Sequence, residues 1–102
     1  MQLTRIANDQ ITVDVAALGA EMQSIQTRDG RQWLWHGDAA YWTGRSPILF
    51  PIVGKAPNDT VTVDGVPFQM SQHGFARRSN FSLMVEETDR CVYRLTASEA
   101  SR

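Results

Sequence analysis

Two short runs, Thr60–Val63 and 66–70, flank Asp64-Gly65, and that dipeptide commits the residues around it to a tight β-hairpin. A two-residue connection that matches the twist of its strands needs positive φ at both positions, which aspartate tolerates and glycine adopts freely. The same grammar recurs along the chain. Ile11, Val13 and Val15 alternate with Thr12 and Asp14, so the strand they form has an apolar face that should turn inward. Asn8-Asp9 just before them predicts a hairpin that pairs residues 2–7 with 10–16. Leu18-Gly19-Ala20 interrupts the pattern and Glu21–Thr27 resumes it. Arg28-Asp29-Gly30-Arg31 then turns the chain, so that 32–35 is expected to return as a short antiparallel partner. Residues 80–87 and 91–96, joined through Thr88-Asp89-Arg90, form the last expected pair. Only Asp38, placed to cap one turn through Tyr41, suggests helix. Short strands with turns about every eight to twelve residues predict an all-β fold, an antiparallel β-sandwich.

The 102 residues accommodate a single domain spanning 1–102, and 42% apolar with 21% charged residues is ordinary globular composition. A domain this small buries roughly 60–65% of its unfolded surface, so self-association is expected to supplement its stability. Ten Lys/Arg are scattered among eleven Asp/Glu, giving a net charge of −1 without a basic stripe, which argues against a nucleic-acid partner. No stretch approaches the ~20 apolar residues of a membrane-spanning helix, and Met1-Gln2-Leu3-Thr4-Arg5 lacks the apolar core of a secretory leader. A lone cysteine, Cys91, precludes an internal disulfide and fits a reducing compartment. The expected location is the cytoplasm, where the Asn58-Asp59-Thr60 sequon is only a turn.

Two segments carry the functional information. Pro47-Ile48-Leu49-Phe50-Pro51-Ile52-Val53-Gly54-Lys55 is apolar, contains two prolines and ends on a glycine and a cation, so it reads as a buried strand or extended wall that delivers a charge to a cavity. Gln72-His73-Gly74-Phe75-Ala76-Arg77 places a histidine and an arginine four residues apart on a glycine-containing loop. These segments, with Gly19-Ala20-Glu21-Met22-Gln23-Ser24-Ile25 and Trp33-Leu34-Trp35-His36-Gly37-Asp38, resemble the aldose 1-epimerase family in one continuous register. The resemblance implies a partial galactose mutarotase-like supersandwich corresponding to the N-terminal third of the family domain, with 94–98 leading into the remainder.

The resemblance also implies substrate-binding roles. The histidine of the family's HG motif hydrogen-bonds the sugar, and His73 matches it; the bland reading is a loop histidine that satisfies a backbone carbonyl. Lys55 stands where many relatives carry arginine, and its point charge cannot make the two-pronged contact of a guanidinium. Arg77 either reaches sugar hydroxyls, or the phosphate of a hexose phosphate, or pairs at the surface with Glu86 or Glu87. Arg45 is a further candidate of the same kind. The family's catalytic histidine and glutamate have no counterpart in this sequence, so no catalytic residue is assigned.

Trp33, Trp35 and Trp42 have faces suited to stacking on a pyranose. Alternation puts Trp33 and Trp35 on one side of a strand, which favours packing. His36, His73 and Cys91 make no metal-ligand pattern, and no cofactor motif is present. The expected protein is thus a mutarotase-like, hexose- or hexose-phosphate-binding chain, a homodimer or the complement of a C-terminal segment. The alternative is a non-catalytic carbohydrate-binding or self-associating β-sandwich module.

Overall fold

Asn8 closes the first hairpin by accepting the N–H groups of Gln10 and Ile11 on its Oδ1 at 2.8 and 2.9 Å. This turn pairs β1 (Leu3–Ala7) with β2 (Ile11–Ala16), and β2 pairs in turn with β3 (Glu21–Thr27), giving an antiparallel sheet of order β1-β2-β3. The computed structural model describes residues 2–97. Asp64 and Gly65, with φ of 51° and 80°, join β4 (Thr60–Val63) to β5 (Val66–Gln69), as the dipeptide requires. β6 (Ser82–Glu86) and β7 (Cys91–Arg94) form the last hairpin. The fold is antiparallel and all-β, as expected.

Three local expectations are corrected. Residues 32–35 do not form a strand. After the turn at Gly30, only the Gln26–Gln32 bridge and the Trp33 N–H donated to Ile25 continue the pairing. The chain then leaves the sheet, and the Trp35 indole donates to the Trp42 carbonyl at 2.6 Å. Trp33 is consequently exposed rather than packed, with the Arg31 guanidinium 5.1 Å from its ring centre. Asp38 Oδ1 accepts the Ala40 N–H at 2.9 Å and its carbonyl accepts those of Tyr41 and Trp42, which closes a turn but no helix; helical geometry appears instead in 3-10 turns at Pro57–Asp59 and Ala76–Arg78. Finally, the Pro47 segment is an extended wall but neither a strand nor buried: Ile48, Leu49, Phe50 and Val53 are all exposed.

The core is correspondingly small. Val15, Ala16 and Ala76 are buried beside Thr4, whose hydroxyl accepts the Tyr93 O–H at 2.6 Å and so ties β7 to β1. Of the inward-facing set, Val15 is 7% exposed and Val13 half-buried, whereas Ile11 sits exposed at the strand end. The radius of gyration, 16.0 Å, exceeds the ~13 Å of a compact chain of this length.

On the opposite face of the first sheet, Arg5, Asp14 and Ser24 form a cross-strand row. Arg5 Nε donates to Asp14 Oδ1 at 2.8 Å, and Ser24 Oγ donates to Asp14 Oδ2 at 3.0 Å. The Arg5 hydrogen bond holds the Asp14 carboxyl below its usual range, outweighing the opposing effect of partial burial, and Ser24 helps. Asp14 therefore binds a proton less readily folded than unfolded. Its contribution is present above the ordinary carboxylate pKa, about 4, and is lost as the pH falls through the lower folded value. Asp14→Asn should lower the melting temperature at neutral pH, with the gap between parent and variant closing as acidification protonates Asp14. A gap that persists on acidification would contradict this role.

Candidate functional site: a cavity between two connections

The loop that carries His73 is held in an unusual backbone conformation. His73 and Gly74 have φ of 63° and 77°, a left-handed geometry that costs a non-glycine residue roughly 1–3 kcal/mol unless its surroundings enforce it. The enforcement comes from the Pro47 segment. The His73 N–H donates to the Gly54 carbonyl at 2.7 Å, and the Gly54 N–H donates to His73 Nδ1 at 2.9 Å. The Phe50 carbonyl accepts the N–H groups of Phe75 and Ala76 at 3.0 and 3.2 Å. Because Nδ1 is an acceptor, the neutral imidazole carries its hydrogen on Nε2, which leaves that atom as a donor.

Arg77 follows on the 3-10 turn. Its Nη2 donates to the Gln72 carbonyl at 3.0 Å, and its Nε is enclosed without an acceptor among the described residues. Neither Glu86 nor Glu87 meets it; Glu87 pairs instead with Arg90 at 2.9 Å. The turn is fastened to the first sheet at Gly19, whose N–H donates to the Ser79 carbonyl at 2.6 Å.

Arg45 arrives from the connection between β3 and β4, just ahead of the Pro47 segment. Its Nη1 donates to the Gln23 carbonyl at 2.6 Å, and its N–H and that of Ser46 both donate to Glu21 Oε2, at 2.7 and 2.9 Å. Gln23 is the extra residue of a β-bulge: Val15 faces Met22 and Asp14 faces Ser24, which leaves Gln23 without an opposite number.

Arg45, His73 and Arg77 line one cavity of about 500 Å³, together with Trp42, Pro47 and Leu49, a size within the usual range of small-molecule sites, about 300–1,000 Å³. No carboxylate lines it, and neither arginine has an acidic partner among the described residues. The cavity therefore holds two cations, one imidazole donor and an aromatic wall. Lys55 is exposed and outside this lining. Trp42 was legible as an aromatic candidate, but the hold of Glu21 and Gln23 on Arg45 was not, because these partners lie more than twenty residues apart.

Such a fold and site define an antiparallel β protein with a loop-built cavity that sets two arginines and a histidine against an apolar wall. The chain belongs to the aldose 1-epimerase family, whose sequence pattern matches residues 2–101. It is 39% identical over 83 residues to the chromosomal protein LacX of Lactococcus lactis subsp. lactis, a match covering 76% of this chain and 28% of that protein. A galactose mutarotase related enzyme from Lactobacillus acidophilus superimposes with a TM-score of 0.94 at 31% identity, covering 99% of this chain and 34% of the other. A galactose mutarotase-like protein from Lactobacillus casei gives 0.82 at 34% identity, covering 85% and 30%. The chain thus spans about a third or less of the length of these relatives. No helix among the described residues is long and apolar enough to cross a membrane.

Proposed function

We infer that the chain supplies one wall of a hexose-binding cleft of the mutarotase type, with His73, Arg77 and Arg45 as its binding groups. The convergence on one cavity of Arg45, from the connection between β3 and β4, with His73 and Arg77, from the connection between β5 and β6, is the observation that carries this reading. His73 Nε2–H donates to a sugar oxygen, the arginines engage neighbouring hydroxyls, and Trp42 offers an apolar face to the ring. Two arginines without acidic partners among the described residues favour a ligand bearing a phosphate, so a hexose phosphate is the preferred form and the neutral hexose the weaker one. Lys55 contributes a long-range charge at most. The proposed setting is the cytoplasm, and the chain is a single unit equivalent to the N-terminal third of the family domain.

Anomer exchange opens a cyclic hemiacetal. A base takes the proton of the anomeric hydroxyl while an acid protonates the ring oxygen, so two titratable groups must flank the sugar. Only His73 meets that description among the residues lining the cavity. The chain alone therefore binds without catalysing. Polarimetry of freshly dissolved α-glucose or α-galactose should show the spontaneous rate in its presence. Rapid mutarotation that disappears in His73→Ala would place the catalytic machinery within these residues and overturn this reading. In a complete domain, His73→Ala should reduce turnover more than Lys55→Ala does.

The second reading, a self-associating β-module, is favoured by the exposure of Val63, Val66 and Phe68 on one hairpin.

A further inference from the structure

We propose that Glu21 is a positioning residue that locks Arg45 into the cavity, acting through the β3 bulge. This inference rests on reading the cavity as a sugar-binding site. Glu21 uses a single carboxylate oxygen, Oε2, for two backbone N–H groups, those of Arg45 and Ser46. The next residues of the same strand complete the grip: Ser46 Oγ donates to the Met22 carbonyl at 2.9 Å, and Arg45 Nη1 donates to the Gln23 carbonyl. The loop end is therefore tied by four hydrogen bonds to Glu21, Met22 and Gln23.

The chemistry of the arrangement is selective. A carboxylate paired directly with a guanidinium would neutralise the cation that the ligand needs. Here the carboxylate is occupied by main-chain donors, while the guanidinium is held by a neutral carbonyl that the bulge leaves without a ladder partner. Arg45 is thereby fixed in place with its charge intact. Gly37 keeps the other side clear, since a Cβ there would stand 2.9 Å from Arg45 Nε.

The test compares the full chain with Glu21→Ala and Glu21→Gln by two readouts. The first, the side-chain 15N–1H resonances of Arg45, needs no ligand. Glu21→Ala should collapse them to the averaged signal of a free guanidinium while the amide pattern of β1 and β2 persists. Glu21→Gln keeps an oxygen acceptor for both N–H groups and should retain the resolved signals. The second readout is titration with glucose 6-phosphate, whose affinity should fall about tenfold in Glu21→Ala and stay within about threefold of the parent in Glu21→Gln. Unchanged Arg45 resonances in Glu21→Ala would overturn the proposal, as would a Glu21→Gln variant that loses them on an intact sheet. If Glu21→Ala unfolds, the Glu21→Gln arm decides alone. Failure of the parent to bind glucose 6-phosphate would count against the sugar-site reading, and the resonance arm would still decide the role of Glu21.

Discussion

Gly74→Ala is expected to destabilise the chain by about 3 kcal/mol or more and to detach the His73 loop from the Pro47 segment. Two effects combine. At φ of 77° any β-carbon is strained, and at this position it would also overlap the Phe50 carbonyl group. That carbonyl accepts the N–H groups of Phe75 and Ala76, so it cannot withdraw without releasing both. Gly65 supplies the control. Its φ is 80°, but a β-carbon there meets nothing within 4 Å, so Gly65→Ala should cost only the backbone strain, about 1–2 kcal/mol. For a chain of this size the Gly74 variant should melt about 10 °C or more below the parent, with fast amide exchange at Phe75 and Ala76. Equal losses in the two variants would mean that contact with Phe50 contributes nothing.

The second large effect is association. Among the described residues no large side chain is fully buried, while Val53 is 76% and Phe50 55% exposed. The hairpin of β4 and β5 shows the pattern most clearly. Register places Val61 opposite Phe68 and Val63 opposite Val66, so all four share one face, with Thr60, Thr62, Pro67 and Gln69 on the other. A two-stranded ribbon of this kind is marginal in water without a partner for its apolar face. The chain by itself should therefore sediment as a dimer or larger species at tens of micromolar, an order-of-magnitude choice where exposed edges and apolar faces drive association. Val63→Lys with Val66→Lys should shift it toward monomer. A well-folded monomer for the parent at that concentration would contradict the prediction.

The hairpins were readable because their causes are local. Asn8 reaches only Gln10 and Ile11, and Asp64-Gly65 needs only its own dihedral angles. Of the two readings of the Pro47 segment, a buried strand or an extended wall, the structure has the wall, because apolar composition reports a preference for burial, not the presence of a partner to supply it. Residues 32–35 failed as a strand for a similar reason: alternation permits pairing, but the Trp35 indole finds its acceptor on Trp42, away from the sheet. The short helical turns at Pro57–Asp59 and Ala76–Arg78 carry too few residues for a periodic signal. At the cavity, His73, Arg77 and Arg45 were nameable from their motifs. Their convergence, and the distance of Lys55 from it, depended on the bulge at Gln23 and on the hold of Phe50 and Gly54 over the histidine loop, contacts that no local pattern encodes.

Whether Arg45, His73 and Arg77 act as one binding surface can be read from amide shifts during titration with a hexose and, separately, with its 6-phosphate. The amides of all three residues should shift together along a single binding curve, the phosphate ester should bind more tightly than the neutral sugar, and Lys55 should stay unmoved. Shifts confined to Lys55 or to the β4–β5 hairpin, or no saturable shift at any of the three residues with either ligand, would contradict such a surface.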